Sequence, residues 1–233
     1  MKAIFVIGTD TDVGKTLIAG LLGRFLLNEG FRVITQKWIQ TGTGSFSSDV
    51  DTHLRLMKIR KEDLGNCRPF LSPYVFKFAS SPHLAARLEK KSIRTDRIKR
   101  GFKSLSKNFD IVIVEGTGGA LVPFSKRKLI IDIAAELNLP VLIVVGNRLG
   151  AINHALLTVE AVRRRKMKII GLVFNNNHGT TNRTVLADNP EIIKALTKES
   201  ILGVMPWSKD ENLLYRKFIP VGKQVIFALK RSC

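Results

Sequence analysis

The sequence predicts an α/β fold in which a doubly wound, mostly parallel sheet is flanked by helices, and three observations point to it. Six short apolar runs rich in β-branched residues recur along the chain. Segments with the apolar spacing of helices lie between several of them. Each apolar run ends in polar residues or glycine. Alternating strands and helices favour a parallel sheet whose ligands bind beyond the carboxyl ends of the strands.

The six predicted strands are continuously apolar rather than alternating, which is typical of strands buried on both faces. In chain order they are residues 3–8, 31–37, 110–116, 140–146, 168–175 and 201–207. Helical patterns cover residues 15–30, 129–138 and 151–166. Gly30 is a stop signal for the first of these helices. A basic segment, residues 87–107, has the apolar spacing of an amphipathic helix with a charged, solvated face.

The composition predicts one domain, residues 1–233, because no internal repeat, low-complexity tract or linker divides the chain. Two cysteines, Cys67 and Cys233, are too few for a disulfide framework and lack metal-ligand spacing. No apolar run approaches the roughly 20 residues needed to span a bilayer. The first residues are strand-like and lack the features of a signal peptide. We therefore expect a cytoplasmic protein with no membrane partner.

The formal net charge of +19 raises the question of a nucleic-acid partner. The excess is spread along the chain, and aromatic residues do not alternate with the basic ones as stacking on single strands would require. We therefore predict no nucleic-acid partner. A positive field of this kind also attracts anionic substrates.

The stretch GTDTDVGKT, Gly8–Thr16, predicts a phosphate-binding loop between the first strand and the first helix. It fits the pattern G-x-x-x-x-G-K-[ST] with one additional residue, Thr9 or Asp10, inside the loop. In such a loop, backbone N–H groups and the helix N-terminus wrap the phosphates. Lys15 would reach the β- and γ-phosphates, and the Thr16 hydroxyl would bind Mg²⁺. The additional loop lysine of partition-type ATPases is missing from it.

Carboxylates that could complete a Mg²⁺ site follow at two places. Glu115 ends a buried strand, and Asp49 and Asp51 lie near a predicted helix start. Mg²⁺ prefers one or two carboxylates together with phosphate oxygens and water, so either aspartate could serve, although both could instead cap the helix. Lys37, at the end of the second strand, would either extend to solvent or neutralise a phosphoryl group in transfer.

The ordered set of motifs resembles the dethiobiotin synthase family over nearly the whole chain. The matching stretches are GTDTDVGKT, QKWIQTG, SSPHLAA, VEGTGG, GNRLGAINHALLT, VFNN and LGVMPW. The resemblance implies a P-loop NTPase type of fold and a homodimer with active sites shared across the interface. It also implies an ATP-dependent cyclo-ligase of biotin biosynthesis. Such an enzyme uses Mg²⁺ and CO₂ or bicarbonate to close a ureido ring on 7,8-diaminononanoate, giving dethiobiotin, ADP and phosphate.

The resemblance also implies roles for individual residues. Lys15, Lys37 and Thr11 would be catalytic, the two lysines contacting the γ-phosphate and the carbamate. Mg²⁺ would be held by Thr16, Asp51 and Glu115. The residues expected to bind ATP are Asp12, Val13, Gly14, Lys15, Thr16, Leu17, Asp51, Glu115, Gly116, Thr117, Gly118, Asn175, Asn176, Met205 and Pro206. Those expected to bind the diamine are Thr11, Lys37, Thr41, Gly118 and, from the neighbouring subunit, Gly150, Ala151, Ile152 and Asn153.

Some positions depart from the family pattern. Trp38 stands where proline is usual, so the backbone there is expected to differ, and Thr41 replaces a common serine. Asp51 is favoured over Asp49 as the metal ligand because Leu54 follows it by about one helical turn. A phosphoryl transfer needs charge neutralisation more than a protein base. The four histidines are therefore predicted to be structural or capping residues: His53, His83, His154 and His178.

Two alternative functions stay open on the residues alone. One is another P-loop enzyme such as a cobyrinate-type amidating ligase, although the chain has neither the length for a glutamine-hydrolysing domain nor a plausible nucleophilic cysteine. The other is a partition-type ATPase switch acting on DNA or membrane, which the positive charge would suit.

Overall fold

The computed structural model describes residues 3–176 and 182–230 of the chain. Its main sheet has six strands in the order β2-β5-β1-β6-β7-β8, and every neighbouring pair is parallel. The six predicted strands all form, and they make up this sheet. They are β1 Ala3–Gly8, β2 Val33–Lys37, β5 Ile111–Gly119, β6 Val141–Gly146, β7 Ile169–Asn175 and β8 Ile201–Met205. The predicted doubly wound α/β class is confirmed.

The helices on the two faces of the sheet include all four that the sequence predicts. The first ends at Asn28, two residues before Gly30, whose φ of 87° only glycine adopts freely. The α-helices are α1 Lys15–Asn28, α2 Ser48–Met57, α3 Arg68–Leu71, α4 Pro82–Leu88, α5 Thr95–Asn108, α6 Ile130–Glu136, α7 Ala151–Arg163, α8 Arg183–Thr197 and α9 Glu211–Lys230. A 3₁₀ segment, Lys61–Cys67, precedes α3.

Two hydrophobic cores lie on opposite faces of the sheet because successive strand residues point to opposite sides. In β1, Phe5 and Ile7 belong to one core, and Ile4 and Val6 belong to the other. The first core is covered by α2, α5, α6 and α7, and the second mainly by α1 and α9. Burial on both faces explains why the strands read as continuous apolar runs.

The strand register brings the polar residues at the strand ends to one edge of the sheet. Lys37 at the end of β2 lies opposite Glu115 of β5, and Asn175 at the end of β7 lies opposite Gly146 of β6 and Met205 of β8. This edge is the place where an open parallel sheet binds ligands.

The sequence did not predict the small sheet formed by β3 Ile39–Gln40 and β4 Tyr74–Val75. Between β2 and β3 the chain bends at Trp38, whose ring is buried and stacks on Phe5 with centroids 5.4 Å apart. The Trp38 indole N–H donates to the side chain of Gln36 at 2.8 Å. In the part of the chain that the structure describes, no helix has the length and apolar character required to cross a membrane.

Candidate active site

The loop between β1 and α1 has the conformation expected of a phosphate cradle. Gly14, immediately before α1, has a φ of 97°, and a Cβ atom there would collide with the side-chain amide of Asn175. That amide donates to the carbonyl of Val13 at 3.0 Å, so the end of β7 braces the loop. The first amides of α1 are left free to bind an anion at the positive end of the helix dipole.

Lys15 is buried at the floor of this loop and is poorly neutralised. Its Nζ donates to the carbonyl oxygen of Asp10 at 2.8 Å, and no ion pair joins it to a carboxylate within the described residues. Burial, with the nearby charge of Lys37, lowers the pKa of Lys15 from 10.5 to about 8. The arrangement favours a ligand that brings negative charge.

Lys37 is also buried, but it lies between two carboxylates. Its Nζ is 2.7 Å from Oδ2 of Asp49 and 2.8 Å from Oε1 of Glu115, and it also donates to the carbonyl of Gly116 at 2.8 Å. Burial opposes the charged form, but the two carboxylates outweigh it and raise the pKa of Lys37. Lys37 therefore stays protonated.

Glu115 contacts polar groups through both of its carboxylate oxygens. Oε1 accepts from Lys37 and, at 3.1 Å, from the Thr16 hydroxyl, while Oε2 lies 2.7 Å from Nε2 of His53. Burial opposes its ionisation, but the charge of Lys37 and the hydrogen bond from His53 outweigh it and hold the pKa of Glu115 well below its usual range. Glu115 is thus a carboxylate at neutral pH.

Helix α2 carries Asp49 into the site and keeps Asp51 out of it. The Ser47 hydroxyl caps this helix by accepting from the Val50 amide at 3.2 Å, and it donates to Oε1 of Gln40 at 2.7 Å. Two residues along a helix turn by about 200°. Asp51 accordingly points away from Asp49 and pairs with Lys61 at 2.6 Å. Of the two aspartates, Asp49 therefore lines the pocket, whereas Asp51, which the sequence favoured, does not.

These residues surround one open pocket of about 430 Å³. It collects most of the residues expected at the phosphate and carbamate end of the site. Its lining consists of Thr11, Asp12, Gly14, Lys15, Thr16, Lys37, Gln40, Thr41, Asp49, Glu115, Thr117 and Gly118.

The pocket offers oxygen ligands that fit Mg²⁺. The carboxylates of Asp49 and Glu115 converge on Lys37, and the Thr16 hydroxyl contacts Glu115. Among the residues described, no group of three or more His, Cys, Asp or Glu side chains is placed to hold a metal ion. The donor set therefore suits a hard cation that brings phosphate oxygens with it, as Mg²⁺ does when it binds with a nucleotide.

The other residues expected to bind ATP lie beside the loop. Leu17 packs its side chain against the core on the α1 face. The backbone N–H of Asn176 donates to the carbonyl of Met205 at 3.0 Å, and Pro206 follows. The side-chain oxygen of Asn176 accepts from Asn147 at 2.9 Å. Asn176, Met205 and Pro206 thus lie together at the ends of β7 and β8, next to the Asn175 amide that braces the loop.

The start of α7 is separate from the pocket of its own chain. Gly150, with a φ of 87°, is the N-cap residue, and Ala151, Ile152 and Asn153 form the first turn. None of these four residues lines the pocket. Asn153 is exposed in this turn and is not the N-cap residue. Leu149 beside them is 83% exposed.

The sequence did not predict the site roles of three residues. Gln40 was not singled out, His53 was expected to be only structural or capping, and Asp49 was the less favoured of the two aspartates. A usable signal existed for two of them. Asp49 and His53 are four residues apart and so share a helix face. His53 also follows Val50 by three residues, which predicts burial. Of the other histidines, His83 contacts Ser81 near the start of α4 at 3.0 Å, and His178 lies outside the described residues.

Comparison with known proteins agrees with this geometry. A protein-family model described as an AAA domain matches residues 2–212. The ATP-dependent dethiobiotin synthetase of Chlorobaculum tepidum is 37% identical over 207 residues, covering 88% of this chain and 85% of that protein. The ATP-dependent dethiobiotin synthetase BioD 2 of Haemophilus ducreyi is 38% identical over 176 residues, covering 75% and 82%. The chain belongs to the dethiobiotin synthetase family.

The fold of this synthetase family member is shared by more distant proteins. A putative plasmid partition protein from Borrelia burgdorferi, solved bound to AMPPNP, has a TM-score of 0.63. The match covers 100% of this chain and 99% of that one, at 15% sequence identity. At this identity the likeness concerns the fold alone.

Proposed function

We propose that this member of the dethiobiotin synthetase family is an ATP-dependent ligase that closes the ureido ring of dethiobiotin. Its substrates would be 7,8-diaminononanoate, CO₂ or bicarbonate, and ATP. The observation that carries the proposal is the shared pocket of Lys15, Lys37 and Glu115 behind a phosphate-binding loop. The names of the sequence relatives favour this function over an amidating ligase or a partition switch.

The proposed reaction needs no protein nucleophile. CO₂ adds to one amine of the substrate, which loses a proton and becomes a carbamate. A carbamate oxygen then takes the γ-phosphoryl group as its bond to ADP breaks, which gives a carbamic-phosphoric anhydride. The second amine attacks the carbonyl carbon, closes the ring and expels phosphate. Phosphoryl transfer depends mainly on positioning and charge neutralisation, which buried lysines supply.

We assign the cradle of the β- and γ-phosphates to the first amides of α1 and to Lys15. Lys37, which remains charged, would neutralise the phosphoryl group in transfer. Thr11 and Thr41 would face the carbamate. The strand-end group at Asn175, Asn176, Met205 and Pro206 would contact the adenine, because the Asn175 amide already holds the loop at Val13.

Mg²⁺ would be held by Thr16, Asp49 and Glu115 together with ATP. It would supply positive charge to the phosphate oxygens. The support is the hydroxyl-and-carboxylate donor set. His53 and Lys37 keep Glu115 ionised and therefore ready to act as a ligand.

The test of the function is an ADP-release assay with defined additions and mass detection of the product. ADP release should require the diamine and bicarbonate together and should yield dethiobiotin. ADP release that responds to DNA or lipid vesicles, with no response to the diamine, would instead identify a partition-type switch.

We further propose a homodimer in which the start of α7 completes the partner's site. Free amides of the first turn after Gly150 form a good seat for the substrate carboxylate. This turn does not line its own chain's pocket. Nearby leucines, Leu121, Leu149 and Leu157, are more than half exposed, as expected of an uncovered interface.

Mixing inactive variants tests the shared site. Homodimers of Lys15→Ala and of Asn153→Ala should each be impaired. A mixed dimer would contain one site with both defects and one with neither, so random exchange should restore about a quarter of wild-type activity. Lys15→Ala mixed with Lys37→Gln is the control, because both residues line the same pocket and no intact site can form. Absence of recovery with Asn153→Ala after verified exchange would reject the shared site.

The cytoplasmic location and the single domain over residues 1–233 stay predictions from the sequence. The cysteine content supports a reducing compartment.

A further inference from the structure

We propose that His53 is a positioning residue that holds one oxygen of Glu115 and keeps the other directed at the metal and phosphates. This inference rests on the proposed function, since it assumes that Glu115 binds Mg²⁺ there. It assigns a role to a buried polar ring that the ring-closing chemistry itself does not use.

The His53 ring is placed to donate a hydrogen bond to Glu115. His53 is fully buried in α2, and its Nε2 is 2.7 Å from Oε2 of Glu115. A carboxylate can only accept a hydrogen bond, so Nε2 carries the proton. The other nitrogen, Nδ1, is buried and has no hydrogen-bond partner among the described residues. Leucine would fill this space without an unpaired nitrogen, so packing does not explain the histidine.

The two carboxylate oxygens of Glu115 contact different groups. Oε1 faces the pocket, where the Lys37 ammonium and the Thr16 hydroxyl both donate to it. Oε2 faces α2 and contacts His53. The last torsion of a glutamate side chain has a broad energy profile, so an untethered carboxylate rotates readily. The bond to His53 fixes this torsion and presents a single oxygen to the pocket.

His53 and Asp49 lie on the same face of α2. The two residues are one helical turn apart, so α2 brings a carboxylate to the pocket and the tether of the second carboxylate on one face. Side chains that orient a metal ligand typically change metal affinity by 10- to 100-fold when they are removed. The same range is expected here.

The test measures metal binding without turnover. The full chain is mixed with AMPPNP in the absence of the diamine, and free Mn²⁺ is followed by electron paramagnetic resonance. His53→Leu keeps the volume and removes the donor, whereas His53→Gln keeps an N–H donor of similar reach. Leu54→Ala is the matched control, because it removes a buried side chain from the same helix without a contact to Glu115.

His53→Leu should weaken Mn²⁺ binding at least tenfold, His53→Gln less than threefold, and Leu54→Ala not at all. If His53→Leu does not fold, His53→Asn takes its place, since its shorter amide does not reach Oε2. Wild-type affinity in the donor-free variant would overturn the inference, as would equal losses in the donor-free variant and Leu54→Ala. Failure of the wild-type chain to bind Mn²⁺ with AMPPNP is a different result, which would overturn the proposed metal site itself.

Discussion

The two buried lysines of the pocket lie in opposite electrostatic surroundings. Lys15 donates to a neutral carbonyl, and burial lowers its pKa to about 8. Lys37 contacts Asp49 and Glu115, and its pKa is raised. Two side chains of the same type, one at the start of α1 and the other at the end of β2, thus have different surroundings before any ligand binds.

The difference indicates how the site is prepared for a polyanion. The surroundings of Lys15 lack the negative charge that a nucleotide phosphate would bring, so binding energy is available there. Lys37 is already neutralised by carboxylates that are proposed to hold Mg²⁺. A cation that takes over those carboxylates would leave the Lys37 charge for the phosphoryl group. Lys15 is therefore assigned to the phosphates in both the ground state and the transition state, whereas Lys37 is assigned mainly to the transition state.

The largest effect is expected from Lys15→Ala. This change should lower kcat by roughly a thousandfold or more, because a donor aimed at the transferring phosphates is removed. The ligand-free protein should stay folded, since the lost charge has no buried carboxylate partner. Steady-state kinetics and thermal unfolding check both parts. An unchanged kcat would contradict the assignment of the phosphate cradle.

Lys37→Gln tests the role of the Lys37 charge. We expect kcat to fall about a hundredfold with a smaller change in ATP affinity, since the charge matters most in the transition state. The variant leaves two partly or fully buried carboxylates without their cation, so stability should fall by about 3–5 kcal/mol. Equal losses in ATP binding and kcat would instead make Lys37 a simple phosphate-binding residue.

The lowered pKa of Lys15 predicts that the free energy of unfolding depends on pH, in contrast to the raised pKa of Lys37. The unfolded chain holds this proton up to pH 10.5 and the folded chain only up to about 8. The cost of burying the charge is thus fully present below pH 8, and it disappears as the pH rises to about 10.5. The difference between these two pKa values corresponds to about 3 kcal/mol in the free energy of unfolding.

The measurement is the free energy of unfolding of the ligand-free protein, compared with that of Lys15→Met, which keeps the volume. The difference between the two proteins should shrink by about 3 kcal/mol between pH 7.5 and 10.5. Other titrating groups contribute equally to both proteins. A difference that stays constant over this range would show that Lys15 is neutralised by a partner.

Much of this arrangement could be predicted from the sequence because it depends on local patterns. Apolar runs gave the six strands, and strand ends in a parallel sheet share one edge, so Lys37 and Glu115 were expected near the phosphate-binding loop. The small β3–β4 sheet was not predictable, because two-residue strands leave no periodicity.

The site contacts made by α2 were harder to predict, because they depend on where the helix begins. A helix start at Ser48 puts Asp49 in the pocket. The N-cap residue, Ser47, is held by a hydrogen bond to Gln40, which lies seven residues earlier in the chain. Sequence spacing to Leu54 therefore favoured Asp51, which the structure places outside the pocket. The contact of His53 with Glu115 could not be predicted for the same reason, because it also depends on where α2 begins.

The smallest expected effect distinguishes the two aspartates and tests the carboxylate side of the comparison. Asp49→Asn keeps the shape of the side chain but removes one charge beside Lys37, so the Mg²⁺ concentration for half-maximal activity should rise about tenfold. Asp51→Asn is the matched control on the same helix. Asp51 pairs with Lys61 near the surface, and such pairs contribute little, so its Mg²⁺ dependence should stay within about twofold of wild type. Titration of activity with Mg²⁺ at saturating ATP compares the two variants directly. If Asp51→Asn shows the larger shift, the orientation of α2 changes when the nucleotide binds, and the division of tasks between Lys15 and Lys37 must be assigned again for that state.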